Sequence, residues 1–149
     1  LASKKDLDLA DKLFHYLGQT VKIKEELMNS ATAVSGSGPA YVLRYLETER
    51  INLNKIPPEK KNLFLNNFQK SAQGVGFTFG QAKVLTEAVF SGTVNFLKKT
   101  KIAPSELVKQ VTSKGGTTEA ALRVLDSGGS LVEAVKAAKA RADELSGKD

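Results

Sequence analysis

Apolar residues recur at helical spacing along most of this chain, and glycine, proline and capping residues mark the breaks between runs. Residues 4–17 carry Leu7, Ala10, Leu13, Phe14 and Leu17 on one face, which predicts a helix closed by Gly18. Thr20-Val21-Lys22-Ile23 then alternates polar and apolar, as a short strand does. A lone strand in front of helices has nothing to pair with. Lys24 to Val34 reads as a short helical turn leading to Ser35-Gly36-Ser37-Gly38-Pro39-Ala40-Tyr41. Pro39 suits the first helical position and Ser37 the N-cap, with Tyr41, Val42, Tyr45 and Leu46 as the apolar face beyond.

Pro57-Pro58 must interrupt any helix running on from there, because proline removes a donor and clashes with the preceding turn. A new amphipathic helix is predicted after it, with Leu63, Phe64, Phe68 and Ala72 inward; Asn52, Asn54, Asn66 and Asn67 mark polar faces or caps. Thr78 and Gln81 have capping-box spacing. The helix they open is expected to bury Leu85, Val89 and Phe96, with Ala82 and Gly92 on the same stripe. Gly92 in mid-helix costs about 1 kcal/mol relative to alanine, which close packing on another helix, of this chain or of a second subunit, would offset. Pro104 opens a short helix with Leu107, Val108 and Val111. After a Gly-Gly turn, a helix from Thr117 runs to Gly128-Gly129, and Ser130 with Glu133 forms a second capping box. The last helix is expected to bury Leu131, Ala134, Val135, Ala138, Ala142 and Leu145, with residues 146–149 frayed. The sum is an all-α bundle with a stub of α/β at the front.

The stretch with most chemical potential is Gln110-Val111-Thr112-Ser113-Lys114-Gly115-Gly116-Thr117-Thr118-Glu119. Two glycines allow a tight turn, and a helix beginning straight after leaves its first N–H groups without partners. Those donors, with the hydroxyls of Ser113, Thr117 and Thr118, suit a small anion such as a carboxylate. The same pattern also describes a plain Gly-rich loop capped by Thr117 or Thr118.

Composition narrows the options. The 149 residues suffice for one core. No apolar run approaches the ~18 residues of a membrane span, and no signal peptide follows Leu1. With no cysteine there is no disulfide or thiol chemistry, which agrees with a cytoplasmic protein. One histidine, His15, and no cysteine argue against a metal site. The formal charge is +6, but the basic residues are dispersed and lack interleaved aromatics. A basic nucleic-acid-binding domain therefore has only charge in its favour, and solvated helix faces account for the clusters. No G-x-G-x-x-G follows a strand, so a dinucleotide pyrophosphate has no ordinary cradle in this chain.

The Ser35-to-Tyr41 turn, followed downstream by Gln110-Val111-Thr112-Ser113 and Gly115-Gly116-Thr117-Thr118, resembles the C-terminal domain of pyrroline-5-carboxylate reductase. The resemblance implies a helical bundle of the 6-phosphogluconate-dehydrogenase C-terminal-like type. It implies that residues 1–23 are the helix–strand end of an upstream Rossmann domain, so that Leu1 is a cut point in a longer protein. Residues 24–149 would then be the dimerisation and substrate-binding domain, with an insert around 48–73 about twenty residues long. The implied reaction reduces 1-pyrroline-5-carboxylate to L-proline in proline biosynthesis, with NADP or NAD bound mainly by the N-terminal domain, so this chain alone would be inactive.

By the same resemblance Ser113, Gly115, Gly116, Thr117 and Thr118 form the substrate loop, with Thr118 as the catalytic hydroxyl that orients the imine. Glu25 borders the site, although it also reads as a solvated surface carboxylate. Gln110, Ser35 and Gly36 lie toward the cofactor. Lys114 replaces a common proline and Lys109 a common aspartate. The partners expected are the small-molecule substrate and a second copy, as a homodimer or higher homo-oligomer, with no nucleic acid, membrane or metal. The alternative is a non-catalytic helical oligomerisation module of the same fold.

Overall fold

The computed structural model of the chain describes residues 2–147, and over these it is all helical. α1 is Lys4–His15, followed by a 3₁₀ turn at Glu25–Leu27, α2 at Met28–Ala31 and a wide π turn at Thr32–Gly36. Then come α3 (Gly38–Thr48), α4 (Pro58–Gln73), α5 (Phe79–Thr100), α6 (Pro104–Val111), α7 (Thr117–Asp126) and α8 (Leu131–Leu145). The expectation of fraying at Lys148 and Asp149 lies outside the described residues.

Helix starts follow the capping chemistry. Thr78 with Gln81 and Ser130 with Glu133 close reciprocal capping boxes at α5 and α8, as does Ser3 with Asp6 at α1. α4 begins at Pro58 with Pro57 extended before it; α3 has already ended at Thr48, so the proline pair opens the new helix rather than stopping the old one.

α4 packs against α5 and α8, α3 against α5 and α6, and α7 against α8. At the centre lies Phe68, fully buried, edge-on to Tyr41 at 5.7 Å and 5.6 Å from Phe64, which in turn lies 5.7 Å from Phe90. Each such pair contributes about 0.5–1.5 kcal/mol beyond its buried area. The π turn packs on α7 and α8, with Ala33 and Val34 wholly buried. This contact carries the Ser35-to-Tyr41 motif to the start of α7.

Several expectations about facing are corrected. Residues 20–23 form no strand. With no strand beside them among the described residues, Lys22 has its carbonyl satisfied by the Gln81 side chain at 3.0 Å. Leu63 is 59% exposed and Leu65 takes the inward position on α4. On α5 the core face is Ala82, Thr86, Phe90, Thr93, Val94 and Leu97. Leu85 and Val89 are only half-buried, Phe96 is exposed, and open space surrounds Gly92. The threonines turn inward because their hydroxyls bond back to carbonyls four residues earlier, Thr86 to Ala82 and Thr93 to Val89. Leu145 is 60% exposed at the end of α8. Ser37 holds the N-cap position of α3 as expected, but its backbone is already helical and its side chain makes no capping bond.

Gly38 is required by space. A Cβ there would lie 2.8 Å from Val89 Cγ1 and 3.1 Å from Phe68 Cζ. Neither a β-branched side chain nor the central ring can swing away freely. Gly38→Ala is therefore expected to destabilise the fold by about 1–3 kcal/mol, read as a lower urea midpoint at unchanged m-value.

Candidate functional site

The π turn and the start of α7 meet through three hydroxyls. Ser37 Oγ lies 2.9 Å from Thr117 Oγ1, and Thr118 donates to Ser37 Oγ at 3.2 Å. Ser37 is wholly buried, Thr118 is buried at 5% exposure and Thr117 is half-buried. The turn at Ser37 is wide because its N–H reaches back five residues to Thr32 O at 3.0 Å. Beneath it, Tyr41 donates to Ala33 O at 3.0 Å. Burial pushes the Tyr41 phenol far above its ordinary range, against the opposing pull of the Ser37 hydroxyl, so it stays protonated and acts as a structural donor.

The loop before α7 is anchored from within. Gly115 sits at φ +71°, a left-handed conformation that suits glycine. Its N–H donates to Glu119 Oε2 at 2.5 Å, and Arg141 Nε donates to its carbonyl at 2.7 Å. The N–H of Gly116 donates to Ser113 O at 3.0 Å. Gly116 is the N-cap of α7 and no side chain caps the helix, so neither Thr117 nor Thr118 is a capping residue. The first helical bond is from Ala120 N to Gly116 O at 3.2 Å. The amides of Thr117, Thr118 and Glu119 consequently have no acceptor one turn back. A polar depression of about 290 Å³ lies beside the loop, lined by Gly115, Gly116, Glu119, Ala120, Arg123, Arg141 and Glu144.

Of the residues expected at the site, Gly115, Gly116, Thr117 and Thr118 are brought into one structure with the Ser35–Tyr41 turn. Ser113 is exposed at the loop's near side. Ser35 is half-buried and Gly36 is exposed on the π turn, where a Cβ would meet only Thr32 Cγ2 at 3.7 Å. Gln110 is exposed on α6, and Glu25 is exposed in the 3₁₀ turn with no side-chain bond drawing it to the loop. Two anchors escaped the sequence reading. Glu119 did carry a signal, since it holds the third helical position, where a capping-box carboxylate reaches back. Arg141 lies on α8, 26 residues from Gly115, and no local pattern announces it.

A larger cleft, about 490 Å³, runs between α1 and residues 17–22. Its walls are the apolar face of a helix that buries no residue. Its polar lining is Asp11, Gln19, Thr20 and Lys22, of which Thr20 donates to Asp11. Among the described residues no group of histidine and carboxylate side chains is placed to hold a metal, and no helix is long and apolar enough to cross a membrane.

Fold and site together define an all-α domain that presents a small-residue loop, backed by buried hydroxyls, at an uncapped helix start. Residues 62–145 match the family described as pyrroline-5-carboxylate reductase dimerisation, and the chain belongs to that family. Among its curated relatives are pyrroline-5-carboxylate reductase 2 of Bacillus subtilis (strain 168), 36% identical over 83% of this chain and 38% of the relative. The pyrroline-5-carboxylate reductase of Synechocystis sp. is 32% identical over 93% of the chain and 46% of the relative. That of Glycine max is 32% identical over 97% and 47%. The chain thus spans less than half the length of these relatives. No solved structure matches. The matched span opens at residue 62, inside the stretch 48–73, so the later part of α4 falls within the family's own region.

The Glu119 carboxyl is held below its ordinary value, first by the Gly115 N–H and then by Arg123. A carboxyl lowered in the folded state adds its anchoring above the unfolded value and loses it as pH falls through the lower folded value. The Gly115 amide resonance is therefore expected to move with a midpoint below 4.5 on acid titration, and Glu119→Gln to abolish that transition. An amide shift that ignores both would show the bond is absent in solution.

Proposed function

We propose that this chain forms the substrate pocket and dimer interface of a cytoplasmic reductase that converts 1-pyrroline-5-carboxylate to L-proline with NADPH or NADH. The observation that carries the reading is the meeting of Ser37 with Thr117 and Thr118 beneath an uncapped helix start.

In this reading the substrate carboxylate takes the amides at the first turn of α7, with the Ser113 hydroxyl beside them. Each hydrogen bond to such a charge contributes about 1.5–3 kcal/mol. Gly115 and Gly116 act by backbone shape, because their own N–H groups are engaged inside the loop. Thr118 gives its proton to Ser37 and keeps lone pairs, so its oxygen accepts the N–H of the protonated imine and orients the ring. The dinucleotide, when bound, supplies the hydride that adds to the imine carbon as the C=N electron pair passes to nitrogen. Ser35 and Gly36 provide the flat edge beside that carbon, with Gln110 toward the cofactor and Glu25 at the site's border. Substrate binding and exclusion of water are the work of this chain.

Residues 1–23 are read as the end of the nucleotide-binding domain. In support, Leu7, Leu13, Phe14 and Leu17 of this segment are 50–84% exposed. The dimer surface is read on the opposite evidence of a well-packed core that still leaves Leu63, Phe79, Val84 and Phe96 outward. Beside Leu63, a cleft of about 250 Å³ is lined by Tyr45, Phe64, Leu125 and Leu131. Gly92, with open space around it, leaves room for a partner helix. A non-catalytic assembly module is the second reading, favoured by the engagement of the Gly115 and Gly116 amides within the chain.

The full-length protein is expected to oxidise NADPH or NADH when given the cyclic imine acid. Thr118→Ala should lower kcat/KM by about tenfold or more, the factor for one hydrogen bond to a charged group. Wild-type kcat/KM in that variant would remove the role given to Thr118, and no turnover by any folded full-length protein would favour the assembly module. Phe96→Glu is expected to shift the sedimenting species toward monomer, because a charge cannot be buried unpaired at an interface.

A further inference from the structure

We infer that Ser37 is a positioning residue of the substrate loop, the link in a one-way chain of hydroxyls that matches both ends of a zwitterionic imine acid. The inference rests on the reading of the loop as the substrate site.

Each hydroxyl has one proton to give. Thr118 donates to Ser37 Oγ, so the Ser37 oxygen already accepts one bond. Tyr41 also borders this hydroxyl but gives its own proton to Ala33 O, and the hydroxyl at hydrogen-bond distance left to accept from Ser37 is Thr117 Oγ1, 2.9 Å away. Accepting a bond polarises a hydroxyl and strengthens its own donation, which favours Ser37 donating to Thr117. The Thr117 proton is then directed away from the buried cluster. The chain thus has an accepting end at Thr118, suited to a protonated imine N–H, and a donating end at Thr117, suited to the carboxylate of the same molecule.

Ser37 is well placed to hold this order. It is wholly buried, and its N–H and carbonyl are both engaged, with Thr32 O at 3.0 Å and Ala40 N at 3.1 Å. It therefore carries no direct contact with substrate, only the orientation of the two threonines that make one. The ligand class that fits is a small acid that also carries a charged N–H. A neutral amide or a simple carboxylate would satisfy only one end.

The test uses the full-length enzyme, the cyclic imine acid as substrate and proline as the binding probe. Ser37→Ala should raise KM about tenfold while kcat falls less than about threefold, as expected when one hydrogen bond to a charged ligand is misdirected. Thr117→Val should do the same, and the double variant should lose less than the sum of the two single losses, because both substitutions remove the shared Ser37–Thr117 bond. Additive losses in the double variant would overturn the link. So would wild-type KM in a folded Ser37→Ala enzyme; if Thr117→Val still raises KM in that case, the loop reading stands and only Ser37's part falls. Wild-type KM in Thr117→Val would overturn both. If Ser37→Ala melts below the assay temperature, Ser37→Cys decides. It keeps the volume with a weak donor, and it should raise KM in the same direction; an unchanged KM overturns the proposal.

Discussion

Everything distinctive here depends on one contact between buried hydroxyls. Ser37 and Thr117 are 80 residues apart and 2.9 Å from each other. For them to meet, the chain around Ser37 must lie flat against α7 and α8. An ordinary α-helix would carry Ser37 round to another bearing. The π turn at Thr32–Gly36 admits the extra residue, and Gly38 lets the following helix close on Val89 and Phe68 without a side chain in the way. Buried hydroxyls must find partners or carry the penalty of desolvation, and here they find one another. A packing decision in the core thus fixes the polar geometry at the surface.

The fold class was legible because its signals were local and mutually consistent. Capping boxes at Thr78 and Ser130, and prolines at positions 58 and 104, gave helix starts to within a residue. Facing was legible less often, for a definite reason. Periodicity assigns apolar residues to the core, whereas α5 turns Thr86 and Thr93 inward and leaves Phe96 outside. Threonine resolves this by bonding its own helix, a solution no hydropathy pattern records. The loop itself was legible as a turn before a helix. Its anchoring was not, since Arg141 reaches it from α8 and Ser37 from across the bundle.

The outward apolar residues fall into two groups with different meanings. Those of α1 belong to a helix that buries nothing and whose apolar side lines the cleft against residues 17–22. Those of α4 and α5 border a core that is already complete around Phe68. Scattered singly, exposed apolar residues are ordinary. Gathered beside a cleft next to Leu63 and along a helix with an open glycine, they support the contact surface proposed above. Membership of a family named for dimerisation is consistent with that second group.

The glycine pair invites the view that its own amides grip the ligand, and the geometry argues otherwise. Gly115 gives its N–H to Glu119 and Gly116 gives its N–H to Ser113. Both glycines are spent in making the turn, one of them at φ +71°. What the turn achieves is an abrupt helix start with no capping side chain. The donors left over belong to the residues just beyond it, where the positive end of α7 adds its field. Glu119 adds a negative charge close to that same end and is paired with Arg123 at 3.2 Å, while Arg141, which bonds the Gly115 carbonyl, is paired with Glu144 at 2.6 Å. In the proposed reading, an arriving acid therefore meets a helix terminus whose surrounding charges are already arranged around one internal carboxylate, Glu119.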